Sequence, residues 1–192
     1  MEKYIPWIII GVIVLVIIIL VISIVNIYNS LVKLRNRVKN AFSQIDVQLT
    51  RRFDLIPNLV ETVKGYTKHE ESIMGEFARA RSLYDRARAG NSVNGLAEAD
   101  NALTTTLGKL MVVTENYPEL KADKNFAQMM EDLKDTENKI SFVRQSYNDV
   151  VLSYNNYREV FPKNMIANSF GFKEAEFYKA SEEQRSNVKV QF

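Results

Sequence analysis

Metal ligation and acid–base chemistry would begin at histidine, cysteine and paired carboxylates, and this chain offers one His and no Cys. His69 precedes Glu70 and Glu71, which opens the His-Glu-x-x-His arrangement that holds zinc on one helix face and supplies a carboxylate base. The second histidine would fall at position 73, where Ile73 stands. A lone imidazole without thiolates makes no zinc set, so His69 reads as a surface residue at the end of a helical segment. The sequence contains neither a phosphate-cradling glycine loop nor a Gly-x-Ser-x-Gly nucleophile turn. Asp46, Asp54, Glu61, Glu70 and Glu76 are scattered, so only folding could pair them for proton transfer. The expectation is a protein that is not an enzyme, with no catalytic residue, cofactor or metal.

A denser polar set lies beside an apolar stripe: Asp46, Gln48, Arg51, Arg52, Asp54, Asn58, Glu61 and Lys64. Arg51 and Asp54, like Asn58 and Glu61, fall within one helical turn. Tyr147-Asn148 recurs as Tyr154-Asn155, seven residues on, which places both pairs on one helix face. Three uses fit these residue types. They can form a polar network inside a bundle and fix its register, they can face another protomer, or they can line a small-ligand site.

The elements that must position them begin with an apolar run from Ile5 to Ile27, since no Asp, Glu, Lys or Arg occurs between Lys3 and Lys33. A hydrocarbon core of about 30 Å needs roughly 20 helical residues, which this run supplies. It is too long for the apolar region of a signal peptide and reads as one uncleaved transmembrane helix. Tyr4, Trp7 and Tyr28 suit the two interfaces, and Lys33 and Arg35 suit the headgroups beyond. Lys33, Arg35, Arg37 and Lys39 outweigh the basic charge before the run, which favours a cytoplasmic over an extracytoplasmic large domain, with the extracytoplasmic alternative left open.

Apolar residues continue at Leu31, Leu34, Val38, Ala41 or Phe42, Ile45 and Leu49 with no Gly or Pro between. That spacing predicts one continuous helix from the bilayer into the soluble part. Pro57 predicts a kink or restart, with Asp54 as the cap of a second helix that fades at Ala89-Gly90. A third helix is expected from about Gly95 to Tyr117, stopped by Pro118, and a fourth from about Asp123 to Phe161, stopped by Pro162. The fourth carries a heptad-like, coiled-coil seam: Phe126, Met129 or Met130, Leu133, Glu137, Ile140, Val143, Tyr147, Val150, Tyr154, Tyr157 and Phe161. Phe170, Phe172 and Phe177 are expected to cover the open end of the bundle, and Val188, Val190 and Phe192 alternate as an added strand would.

The fold class is therefore all-α: a single N-terminal transmembrane helix continuing into an antiparallel long-helix bundle of the four-helix type. The expected divisions are a tip at 1–4, the span at 5–27, the bundle at 28–162, and an aromatic segment with its tail at 163–192. With 25 Lys and Arg dispersed among 23 Asp and Glu, nothing marks a nucleic-acid surface.

These residues carry a family resemblance. Tyr28-Asn29-Ser30-Leu31-Val32, Ala41 to Leu49 and the block Arg51-Arg52-Phe53-Asp54-Leu55-Ile56-Pro57-Asn58-Leu59, continuing to Tyr66, resemble the LemA family. So do His69-Glu70, Tyr117-Pro118-Glu119-Leu120-Lys121, Tyr147-Asn148 and Gly171-Phe172. The resemblance implies a single-pass protein of the bacterial plasma membrane with a four-helix-bundle-like domain and no established enzymatic activity. It also implies a role in organising a membrane or in partnering a membrane protease. The expected function is a membrane-anchored scaffold that self-associates as a homo-oligomer on the lipid bilayer. A regulatory adaptor for a membrane protease or envelope signalling partner is the alternative.

Overall fold

The computed structural model describes residues 4–65 and 71–179; His69, Glu70 and the alternating tail at Val188 to Phe192 lie outside them. Among the described residues there are six helices: α1 (Ile5–Lys64), α2 (Glu71–Ala89), α3 (Val93–Thr114), α4 (Pro118–Ala122), α5 (Lys124–Glu159) and α6 (Lys163–Ser169). The all-α bundle expected from the periodicities is the observed architecture. The chain divides into two compact units, one made of Met1–Asn40 with Asp149–Ala175, the other of Ala41–Asn148 with Glu176–Phe192.

In the first unit, the side chains described from Trp7 to Val25 are exposed around the whole circumference of α1, apolar though they are. A helix apolar on every side and covered by nothing is long and apolar enough to cross a membrane. Its next turns make a packed cluster. Leu31 is buried with Tyr154, Ala167 and Phe172, and Ile27, Leu34, Val38 and Tyr157 close around them.

The second unit is a four-helix bundle. Along α1, Ile45, Leu49, Phe53, Ile56, Leu59 and Val63 are buried at steps of three and four. From α2 come Ile73, Phe77, Ala80 and Tyr84, and from α3 Leu96, Leu103, Leu107 and Leu110. Neighbours run antiparallel: α1 meets α2 through Asp46 with Arg88, Thr50 with Tyr84, and Asp54 with Arg81. Phe42 pairs with Tyr147 of α5, and ten residues further along α1 Arg52 meets Glu137, ten residues back along α5.

Two expectations change. Pro57 neither kinks α1 into two helices nor frees Asp54 to cap a new one; α1 runs through it to Lys64. Pro57 itself is exposed while Phe53, Ile56 and Leu59 are buried around it, so packing holds the turn that the missing N–H weakens. The covering role assigned to three phenylalanines falls chiefly to one: Phe172 is buried, Phe170 and Phe177 are exposed, and Tyr178 is the second buried ring.

Helix ends follow local chemistry. Beyond α2, Asn91 takes a φ of 48° and the Ser92 N–H donates to the Ala87 carbonyl at 2.9 Å, a left-handed cap of the kind Asn tolerates. Ser92 then accepts from the Gly95 N–H and starts α3. A Cβ on Gly95 would lie 2.8 Å from that of Ala87, so the hairpin requires glycine there. The same cap closes α6: Gly171 has a φ of 70° and Phe172 donates to the Ala167 carbonyl.

Candidate functional site

Polar groups converge at one place inside the second unit. Arg52 projects from the apolar stripe of α1, Asp100 from that of α3, and Glu137 and Arg144 from α5 one heptad apart; Tyr178 enters from the segment after α6. Arg52 Nη1 donates to Asp100 Oδ1 at 2.6 Å and also pairs with Glu137. Arg144 pairs with Asp100 Oδ2, which further accepts the Tyr178 hydroxyl at 3.3 Å. The Arg144 guanidinium also sits 5.2 Å from the centre of the Tyr178 ring.

Asp100 is fully buried and Arg52 only 3 % exposed, so the charges survive by neutralising one another. Burial lowers the pKa of Arg52, with Glu137 and Tyr178 opposing, and burial lowers that of Arg144. Burial likewise pushes the Tyr178 hydroxyl up to about 12 against the pull of the two arginines. Two guanidinium groups bring more donors than these acceptors take up, and Arg52 Nε and Arg144 Nε have no hydrogen-bond partner. Both Asp100 oxygens are already engaged. Among the described residues no cluster of three or more His, Asp or Glu could hold a metal.

The Tyr-Asn pairs do something else: they grip backbone. In the second unit Asn148 is bidentate to Tyr178, donating to its carbonyl at 3.1 Å and accepting from its N–H at 2.9 Å. Tyr147 donates to the Glu176 carbonyl at 2.8 Å. In the first unit Asn155 takes both backbone groups of Ala175, at 2.9 and 3.0 Å, and Tyr154 donates to the Lys173 carbonyl at 2.8 Å. Residues 172–179 are neither helix nor strand, so their N–H and C=O groups need such partners.

The remaining polar residues divide by exposure. Asp46 is half-buried, accepts from the Tyr84 hydroxyl at 3.3 Å and pairs with Arg88; Gln48 is half-buried. Arg51, Asp54, Asn58, Glu61 and Lys64 are exposed, Asp54 being held by Arg81 at 3.2 Å. Asn58 and Glu61 share the rim of a shallow depression with Asn125 and Gln128. Of the membrane-side residues, Tyr4, Trp7 and Lys33 are exposed, Tyr28 packs edge-on against Phe170 and Phe172, and Arg35 lies over the Phe172 ring at 5.1 Å.

Asp100, Arg144 and Tyr178 were not singled out by sequence, and Glu137 only as a seam position. The signal was present: Asp100 interrupts the stripe Leu96, Leu103, Leu107, Leu110, and Glu137 and Arg144 recur at the seam's own spacing.

Comparison with known proteins agrees with the resemblance noted above. A model of the LemA family matches residues 41–192. The magnetosome protein MamQ 1 of Paramagnetospirillum magneticum is 26 % identical over 79 % of this chain, and the MamQ of Magnetospirillum gryphiswaldense 25 % over 79 %. This chain covers 64 % of the length of each, just under two thirds. Protein LemA of Metamycoplasma hominis is 24 % identical over 83 % of this chain and 72 % of its own length. With its family model spanning most of the sequence and an all-helical bundle beneath it, the chain belongs to the LemA family.

Proposed function

We propose that this protein is a membrane-anchored, non-enzymatic helical scaffold that self-associates at the bacterial plasma membrane. One observation carries the reading: the apolar stretch of α1 passes without a helix break into the α1 residues that build the bundle. A helix with no loop between anchor and bundle suits a membrane-anchored scaffold. Two features support it. The most buried charges are occupied with one another, and large apolar side chains such as Val112 and Phe142 are left exposed on the bundle, at 67 % and 72 %. The basic residues after the span favour a cytoplasmic bundle. Relatives named as magnetosome proteins fit a role in organising a membrane.

The adaptor reading has one observation in its favour. An open, largely apolar groove of about 590 Å³ lies between α1 and α2, lined by Phe53, Pro57, Val60, Met74 and Phe77. The native chain has no cysteine, so a single cysteine at Val112 or Met74 gives a clean crosslinking probe in cells. A scaffold yields adducts of the chain with itself from Val112→Cys. A reproducible adduct with a different protein from Met74→Cys, and none with itself from either site, would favour the adaptor.

A further inference from the structure

We infer that the corner joining α5 to α6 is a second bilayer contact, an apolar foot that rests in the interface of the membrane the α1 span enters. The inference rests on that span and extends it. Tyr154 belongs to the Leu31 cluster, and five more residues of α5 carry the chain beyond it before the turn at Val160. α6 returns to the same cluster through Ala167 and ends with Phe170 against Tyr28, ring centres 5.0 Å apart. Ile27, the last residue of the apolar run, packs on this cluster, so the corner is tied to the very turn at which α1 leaves the apolar stretch.

What the corner displays is apolar. Val160, Phe161, Met165 and Phe170 are 53, 73, 61 and 56 % exposed, a concentration of large side chains that water disfavours. From Val160 to Phe172 the sequence holds one Lys and no carboxylate, and the flanking Glu159 and Glu174 are both paired with Arg158, at 3.4 and 3.7 Å, which offsets their repulsion from an anionic leaflet. Lys163 places its ammonium 3.9 Å from the centre of the Tyr157 ring, an aromatic–basic pairing suited to headgroup depth. Continuity with the span distinguishes a lipid surface from a soluble partner as the occupant: a patch fastened to Ile27 and Tyr28 lies where the bilayer ends.

Trp7 is the only tryptophan, so Trp7→Phe gives a dark background for single-Trp variants of the full chain in vesicles of phosphatidylcholine and phosphatidylglycerol. Phe161→Trp reports the corner, Ile18→Trp, read with lipids brominated near the methyl end of the acyl chains, the span, and Thr104→Trp an exposed bundle site. With lipids brominated near the glycerol end of the acyl chains, the Phe161→Trp emission is expected to be blue-shifted and to lose roughly half its intensity, while Thr104→Trp keeps its own. Phe170→Trp, read in the same way, is expected to follow Phe161→Trp. Quenching of Ile18→Trp without quenching at either corner position would overturn the foot and leave the span standing. Blue-shifted corner emission without quenching would also overturn it, pointing to protein cover from a second copy. Absence of quenching at all three would remove the span as well.

Discussion

Each of the two units fastens the segment that follows α6 with one Tyr-Asn pair, yet each surrounds its pair with opposite chemistry. In the first unit Tyr154 stands in an apolar and aromatic cluster with Leu31, Ala167 and Phe172. In the second, the residue that Asn148 grips is Tyr178, whose ring carries a hydroxyl into the Arg52, Asp100 and Arg144 cluster. The same backbone clamp is thus combined with apolar packing in one unit and with a buried charge set in the other. Apolar packing is tolerant and non-directional, whereas a buried charge set accepts one arrangement only. The difference teaches where sequence change should be costly.

Asp100 is the point at which the comparison breaks most sharply. Asp100→Leu leaves the buried Arg144 without its carboxylate and Arg52 with Glu137 alone, and is expected to destabilise the second unit by about 3–5 kcal/mol in chemical denaturation. Arg52→Met, Asp100→Leu and Arg144→Met made together should lie within about 2 kcal/mol of the native protein, because apolar groups of similar size replace the three most buried charges and Glu137, 30 % exposed, keeps access to water. A triple variant as unstable as the single one would show that the charges are individually required.

Alkaline pH tests the second unit's two most shifted phenols next. Burial pushes both Tyr147 and Tyr178 up to about 12, above the value near 10 of an unfolded chain. Between about pH 10 and 12 the unfolded chain releases these protons while the folded one retains them, so stability present below pH 10 is lost as pH rises. Each phenol contributes roughly 1.4 kcal/mol per pH unit to that loss. Burial also raises Tyr84 and Tyr154, so Tyr178→Phe should remove part of the slope, no more than about half, and an unaltered slope would assign it elsewhere.

The clamps come third. Asn148→Ala and Asn155→Ala each strip one residue of two backbone partners, at an expected cost of about 1–3 kcal/mol. Hydrogen exchange should quicken at the Tyr178 amide in the first variant and at the Ala175 amide in the second; loss of both protections from either change would mean that the segment opens as a unit. The smallest effect belongs to the exposed pair of Arg81 and Asp54, where Arg81→Ala should cost no more than about 1 kcal/mol.

Much of the fold was legible because periodicity records burial. Phe126, Leu133, Ile140, Tyr147 and Tyr154, seven apart in sequence, are all buried on α5, and the Gly90-Asn91-Ser92 stretch makes the turn its residue types announce. Pro57 misled because local propensity speaks for one turn while packing at Phe53, Ile56 and Leu59 speaks for several. The Tyr-Asn repeat stood out, but its partners did not: backbone carbonyls at Lys173 and Glu176 look like any others in a sequence. The charge cluster was harder still. Asp100 stands alone on its stripe, and only the meeting of α1, α3 and α5 shows what neutralises it.

The scaffold reading is tested most directly by native mass spectrometry of the full-length protein released from lipid nanodiscs across a series of loading densities. Discrete multiples of the chain mass that grow with density are the expected result. Monomer alone at every density would contradict the account.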